Sequence, residues 1–191
     1  MTADHGIIMS DPMMRAVLAG EKTVTRRTSN MWARAREGDR LWFREVWKPE
    51  ELGSGLDGYR YRCDGAFVAI ADTEESADRW SELRSKKSDV WRSSLVMPRS
   101  VCRATGIVTS IRQEPLQDIT ENDARREGMA GLTWADVAAL KGERKALALC
   151  GVGFLGGVSC RQKFQIVFRL LSNSEVWQQN PLVWRVEWER E

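Results

Sequence analysis

Six consecutive residues, Lys22-Thr23-Val24-Thr25-Arg26-Arg27, bring three cations and two hydroxyls into one short run. In an extended chain Lys22 and Arg26 share one side while Thr23, Thr25 and Arg27 take the other, and a turn would draw the two sets together. Clustered guanidinium charge lowers the pKa of a neighbouring amine, which makes Lys22 a candidate proton acceptor and the run a candidate corner for an anion or a base. The same composition also suits a solvated basic loop. Among the acidic residues, Glu45 and Glu127 lie nearest the ends of structured elements, although acidic side chains on helices ordinarily face solvent, and Asp123 reads as a helix cap.

The nine tryptophans are the other chemical signal. Trp42, Trp184 and Trp188 sit inside strand-like runs and read as packing. Trp32, Trp47 and Trp91 adjoin basic or turn residues, Arg34, Lys48 and Arg92, where a ring stacks on a base while the cation meets a phosphate. Gly151-Val152-Gly153-Phe154-Leu155-Gly156 has the spacing of a dinucleotide fingerprint, but the preceding Leu147-Ala148-Leu149 is short for a strand and no second strand ending in an acidic residue follows. A glycine-rich loop is the better reading.

These groups are carried by 191 residues, a length at which chains remain one domain with a substantial core. Twenty-nine basic against twenty-seven acidic residues leave a formal charge of +2, too small to announce nucleic-acid binding by itself, so the distribution of charge matters more than its sum. Four scattered cysteines and one histidine, His5, form no paired metal element, and neither metal nor cofactor is expected. The most apolar segment, residues 146–157, falls short of a membrane span, the first residues lack a secretory pattern, and free thiols suit a reducing compartment. The expected location is the cytoplasm, with no membrane partner.

The elements that must position the chemistry follow from periodicity. Residues 6–10 read as a strand, and Asp11-Pro12 opens a helix that Gly20 ends, which leaves Lys22 just past a helix C-terminus. Residues 40–47 read as a strand stopped by Pro49. Residues 59–70 read as a hairpin-like piece and 72–89 as a polar stretch. Residues 101–113 are strand-like, and Thr120 caps a helix running to Gly128, with Asp123 in the capping-box position. Weaker and clearer helices cover 133–140 and 161–171, the latter with Phe164, Val167, Phe168 and Leu171 on one face. Residues 182–189 alternate cleanly as a strand, inserted into a twisted sheet or small barrel of an α+β domain.

The string Leu18-Ala19-Gly20-Glu21-Lys22-Thr23-Val24-Thr25-Arg26-Arg27 resembles the signature of the ASCH domain family, a Gly-x-Lys-x-x-x-x-Arg pattern within a PUA-like fold. Gly38-Asp39-Arg40-Leu41-Trp42 looks like the "Gly-Asp, then strand" that follows it, and residues 116–129 look like the family's segment leading into its short helix. Trp91-Arg92-Ser93-Ser94, Met97-Pro98-Arg99 and Trp177-Gln178-Gln179-Asn180-Pro181-Leu182-Val183-Trp184 resemble a phage and prophage branch.

The resemblance spans nearly the whole chain. It implies one domain over residues 1–191, a small β-barrel with peripheral helices and with insertions at about 50–97 and 130–159. The family is linked to RNA, other nucleic acid or modified nucleosides, and one bacterial member is an amidohydrolase that removes the acetyl group of N4-acetylcytidine with a Lys, a Thr and a Glu. Those residues fall on Lys22, Thr25 and Glu127; where that enzyme carries an apolar residue, this chain has Arg26. The expectation is therefore a protein that handles nucleic acid or a modified nucleoside, hydrolysing the N4-acyl amide of acylated cytidine. Arg26, Arg27, Trp47, Trp91, Arg99 and Glu45 are the candidate contacts to nucleoside, RNA or DNA. The alternative is a non-catalytic RNA- or DNA-binding module.

Overall fold

The computed structural model describes residues 2–86, 90–151, 153–172 and 174–191. The first half of the chain runs β1 (Asp4–Ile8), α1 (Asp11–Leu18), β2 (Val24–Arg27), β3 (Arg40–Arg44), β4 (Trp47–Glu51), β5 (Asp57–Tyr61), β6 (Phe67–Ala69) and α2 (Glu74–Lys86). It continues as β7 (Thr105–Pro115), α3 (Glu121–Ala124), α4 (Trp134–Lys141), α5 (Glu143–Cys150), α6 (Cys160–Leu171), α7 (Ser174–Gln179) and β8 (Leu182–Arg190). Two compact units emerge. One comprises Met1–His5, Ala16–Leu41 and Ala104–Glu191, and the other Gly6–Arg15 and Trp42–Arg103.

The strands form a five-stranded sheet in the order β1-β3-β7-β8-β2 and a separate three-stranded sheet, β4-β5-β6. The PUA-like, ASCH-type barrel expected from the sequence is overturned, because both sheets are open. Closure needs the two outermost strands to pair, and here β1 and β2 remain edges. The last strand does insert, pairing antiparallel with β2 on one side and β7 on the other. Residues of both parities on β8 are covered: Val183, Arg185, Val186 and Trp188 are all buried.

The helical layer of the first unit is anchored by caps that the sequence spells out. Thr120 accepts from the Asp123 amide, and Thr133 with Asp136 and Ser159 with Gln162 form reciprocal capping boxes. On α6, Phe164, Val167 and Leu170 are buried while Leu171 is 49% exposed, so the apolar stripe turns one residue earlier than the expected 164, 167, 168, 171 face. Leu147-Ala148-Leu149 belongs to α5, which closes on a left-handed Gly151. The glycine pattern therefore follows a helix and not a strand, which removes the geometry of a dinucleotide fingerprint; its Val152 lies outside the described residues.

In the second unit Trp47, Tyr59, Tyr61, Trp80, Met97 and Val101 form one buried cluster. Pro49 does not stop a strand. The break falls between β3 and β4, and Pro49 sits within β4 opposite Tyr59, tolerated because β4 is an edge and the missing N–H removes no inner ladder bond. Gly58 on β5 is required by close approach, since a Cβ there would lie 2.4 Å from the Phe67 ring and 2.5 Å from the Val68 carbonyl oxygen. Among the described residues, no helix is long and apolar enough to cross a membrane.

Candidate functional site

Helix α1 ends in a left-handed Gly20, and the amides of Glu21 and Lys22 both turn back onto the carbonyl of Ala16. That reversal delivers Lys22, 3% exposed, to the start of β2. Its Nζ donates to the Val24 carbonyl at 2.8 Å, the Glu127 carbonyl at 2.9 Å and Glu127 Oε2 at 2.6 Å. Three acceptors match the three protons of an ammonium, so the resting group has no lone pair free.

Glu127 reaches this place through an irregular backbone. Past α3 the chain widens into a π-turn over Arg125–Met129, inside which Gly128 has φ 89°. Such turns displace one residue from the regular helical ladder and recur at functional sites. Gly128 also allows close packing, because a Cβ on it would stand 2.9 Å from Ala16 Cβ and 3.4 Å from Lys22 Cβ. The turn is pinned to the Lys22 segment by the Thr23 amide, which donates to the Arg126 carbonyl at 2.9 Å, and by Arg126 Nε, which donates to Thr23 Oγ1 at 3.1 Å.

Around the pair lies a charge network that sequence reasoning missed. The ladder sets Arg26 opposite Arg185 and Arg185 opposite Arg112, a row of three like charges across β2, β8 and β7. Like charges directly opposed destabilise a sheet unless anions intervene. Here they do. Arg26 donates to Glu114 at 2.8 Å, Asp123 at 3.1 Å and Glu127 at 3.4 Å; Arg185 donates to Asp123 at 2.8 Å and also pairs with Glu187. Arg112 reaches Glu114 and Arg126 reaches Glu187. A usable signal was present: Arg185 and Glu187 are charged positions on a strand whose other face is apolar from Leu182 to Trp188.

Burial dominates the electrostatics of Lys22 and pulls its pKa below the ordinary amine value. The charge and hydrogen bond of Glu127 push back, and Arg27 and Arg26 add to the depression. Arg27, half-buried, is likewise lowered by burial and steadied by Glu127. For Asp123 burial opposes ionisation, yet the hydrogen bond and charge of Arg185, with the charge of Arg26, hold the carboxyl at about 2. Asp123 is thus more than a helix cap.

Thr25, 4% exposed, lies on β2 opposite Val186. Among the described residues its hydroxyl makes no hydrogen bond with Lys22. Lys22, Arg26, Arg27 and Glu127 are therefore brought into one constellation, with Thr25 on the strand beside them.

Glu45, Trp47, Trp91 and Arg99 belong to the second unit. Glu45 has no exposed surface: Arg103 clamps both its oxygens, at 2.8 and 2.9 Å, and the Cys63 thiol donates to it at 3.1 Å. Trp47 is likewise wholly buried, edge-on to Tyr59 and under the Arg92 guanidinium at 5.0 Å, so its ring packs a core and offers no face to a ligand. Trp32, in the first unit, is buried against His5. Arg99 is half-buried over Trp42. Trp91 differs: it is 41% exposed, with Lys48 Nζ 5.4 Å from its ring centre. No family model matches this chain, and comparisons with curated proteins and with solved structures likewise return no match.

Proposed function

We propose that this protein handles a nucleoside or nucleic acid and hydrolyses an exocyclic amide of the N4-acylcytidine type, with Lys22, Thr25 and Glu127 as its catalytic residues. The observation that carries the reading is the 2.6 Å contact between Lys22 Nζ and Glu127 Oε2, made across 105 residues of chain and almost entirely out of water. Stability alone is a poor reason to keep such a pair, because burying two charges costs several kcal/mol per ion (about) and well-packed apolar residues often serve as well. A π-turn and a depressed amine pKa at the same spot point the same way.

The chemistry begins with a proton moving from Lys22 to Glu127, which leaves a neutral amine and a carboxylic acid and frees the lone pair on Nζ. That amine takes the Thr25 proton as Oγ1 attacks the acyl carbon. The C–N bond breaks, the acid of Glu127 protonates the departing exocyclic nitrogen, and an acyl ester remains on Thr25. Water, deprotonated by the Glu127 carboxylate, attacks that ester; the acid is released as Lys22 returns its proton to the threonine oxygen, and the proton taken up by Glu127 then passes to Lys22 to restore the ammonium–carboxylate pair. Arg26 and Arg27 hold the surrounding potential positive, which favours the anionic oxygen of each tetrahedral intermediate. The cytoplasm, where Cys63, Cys102 and Cys160 remain the free thiols seen here, is the proposed setting.

The test is chromatographic. Purified protein is incubated with N4-acetylcytidine and the release of cytidine is followed; Lys22→Arg, Thr25→Val and Glu127→Gln should each lower the rate at least a hundredfold. A Lys22→Arg protein as fast as the unmodified one would end the proposal.

A further inference from the structure

The second unit holds a hollow of about 450 Å³ lined by Leu83, Lys86, Val90, Trp91, Arg92, Ser93 and Val96. That volume lies within the range of small-molecule sites. Its lining is uneven in a way that selects a ligand: one indole, three aliphatic side chains, a hydroxyl and two cations, with no carboxylate among the described lining residues. The indole at Trp91 is 41% exposed and Val90 and Val96 are 51% and 63% exposed, so apolar surface faces outward where a folded chain ordinarily covers it.

We infer that this hollow is a nucleotide subsite, in which an aromatic base stacks on Trp91 and its phosphate is drawn to Lys86 and Arg92. Stacking on an aromatic ring is tolerant of base identity, since every base has a π-face, and a cation beside the ring adds attraction. Lys48 supplies that cation, at 5.4 Å from the ring centre. Two carboxylates stand close to the rim cations, Glu50 beside Lys48 at 3.2 Å and Glu82 beside Lys86 at 2.7 Å. They restrain the two lysines without lining the hollow, so among the described residues a phosphate meets positive charge and no lining carboxylate. Both lining cations already have partners in the fold, Lys86 with Glu82 and Arg92 with the Leu83 carbonyl and the Trp47 ring, and they lend the hollow its positive charge; an acidic peptide would use that charge and leave the indole unused. A base joined to a phosphate uses both.

The inference deepens the nucleoside reading above and does not depend on the Lys22 chemistry. The shared ligand chemistry, a base carrying phosphate, occurs in free nucleotides and in single strands, and the experiment separates these sources. The 191-residue chain is titrated by calorimetry with cytidine, cytidine 5′-monophosphate and an eight-residue oligocytidylate, alongside Trp91→Ala, Trp91→Phe and Lys86→Ala proteins of unchanged circular dichroism.

Trp91→Ala should weaken binding of the phosphate-bearing probes by roughly five- to 150-fold, the span that stacking one base on an aromatic ring covers, while Trp91→Phe stays near the unmodified protein. Lys86→Ala should weaken the phosphate-bearing probes and leave cytidine unchanged. An oligomer binding at least tenfold tighter than the mononucleotide assigns the site to single strands; equal affinities assign it to free nucleotides. Loss of binding to all three probes in unmodified protein, or a Trp91→Ala protein that binds them unchanged, overturns the proposal. Deacylation measured on the same preparations reports separately on Lys22, so failure of one reading is distinguishable from failure of the other.

Discussion

Replacing Lys22 by methionine keeps an unbranched side chain of similar length and removes only the ammonium. Three donated hydrogen bonds vanish at once, and Glu127, whose side chain is 4% exposed, keeps a buried charge with Arg26 at 3.4 Å and the Arg27 charge nearby but without its closest partner. Removing one partner of a buried pair costs about 3–5 kcal/mol, because the other charge stays buried without compensation. In a chain of this size each kcal/mol moves the melting temperature by about 2–4 °C, so Lys22→Met should melt about 6–20 °C lower. Adding Glu127→Leu removes the stranded charge, and the double variant should regain most of that loss.

Calorimetry of both variants at neutral pH is the assay. A single variant melting within about 2 °C of the unmodified protein, or a double variant no more stable than the single one, would refute the reasoning. The pH dependence supplies a second check. Burial depresses the Lys22 pKa in the folded state, so between that value and the unfolded value of about 10.4 the unfolded chain binds more protons. The stability of unmodified protein relative to Lys22→Met should therefore rise as pH climbs through that window.

Gly128→Ala forces a β-carbon into a left-handed residue and against Ala16. It should destabilise by about 2–5 kcal/mol, the sum of the backbone and overpacking penalties, read as a lower urea midpoint. For Asp123, held at about 2 in the folded state by Arg185 and Arg26, the stabilising contribution is complete above the unfolded value near 3.9 and is lost as pH falls through the folded one. Asp123→Asn should flatten the decline of melting temperature below about pH 4 relative to unmodified protein, and an unaltered acid limb would contradict the Arg185–Asp123–Arg26 geometry.

Local features of the fold were legible in the chain. Thr120 and Asp123 announced a cap, Asp11-Pro12 and Gly20 bounded a helix, and residues 182–189 alternated as a strand. Each depends on neighbours within a few residues, where propensity and hydrogen-bonding chemistry act directly. Pro49 misled for the complementary reason: proline forbids a donated bond but not an edge position, and which strand is an edge is not written in the strand. The same holds for the barrel. Family-like segments can line up along a chain while the two outermost strands never pair, since closure depends on stagger and tilt across the entire sheet.

The sequence by itself supplied the chemical inventory of this protein: a lysine, two threonines and two arginines packed into six residues, acidic positions far downstream, and an excess of tryptophan. Composition could not say which of those groups leave water. Tertiary structure decided that Lys22 meets Glu127, that Arg185 completes a row with Arg26 and Arg112, that Trp47 packs a core and that Trp91 stays open. The physical reason is range. Caps and periodicity are set by bonds a few residues apart, whereas the partner of a buried charge is fixed only when strand register and a single irregular turn at Gly128 bring together residues a hundred positions apart.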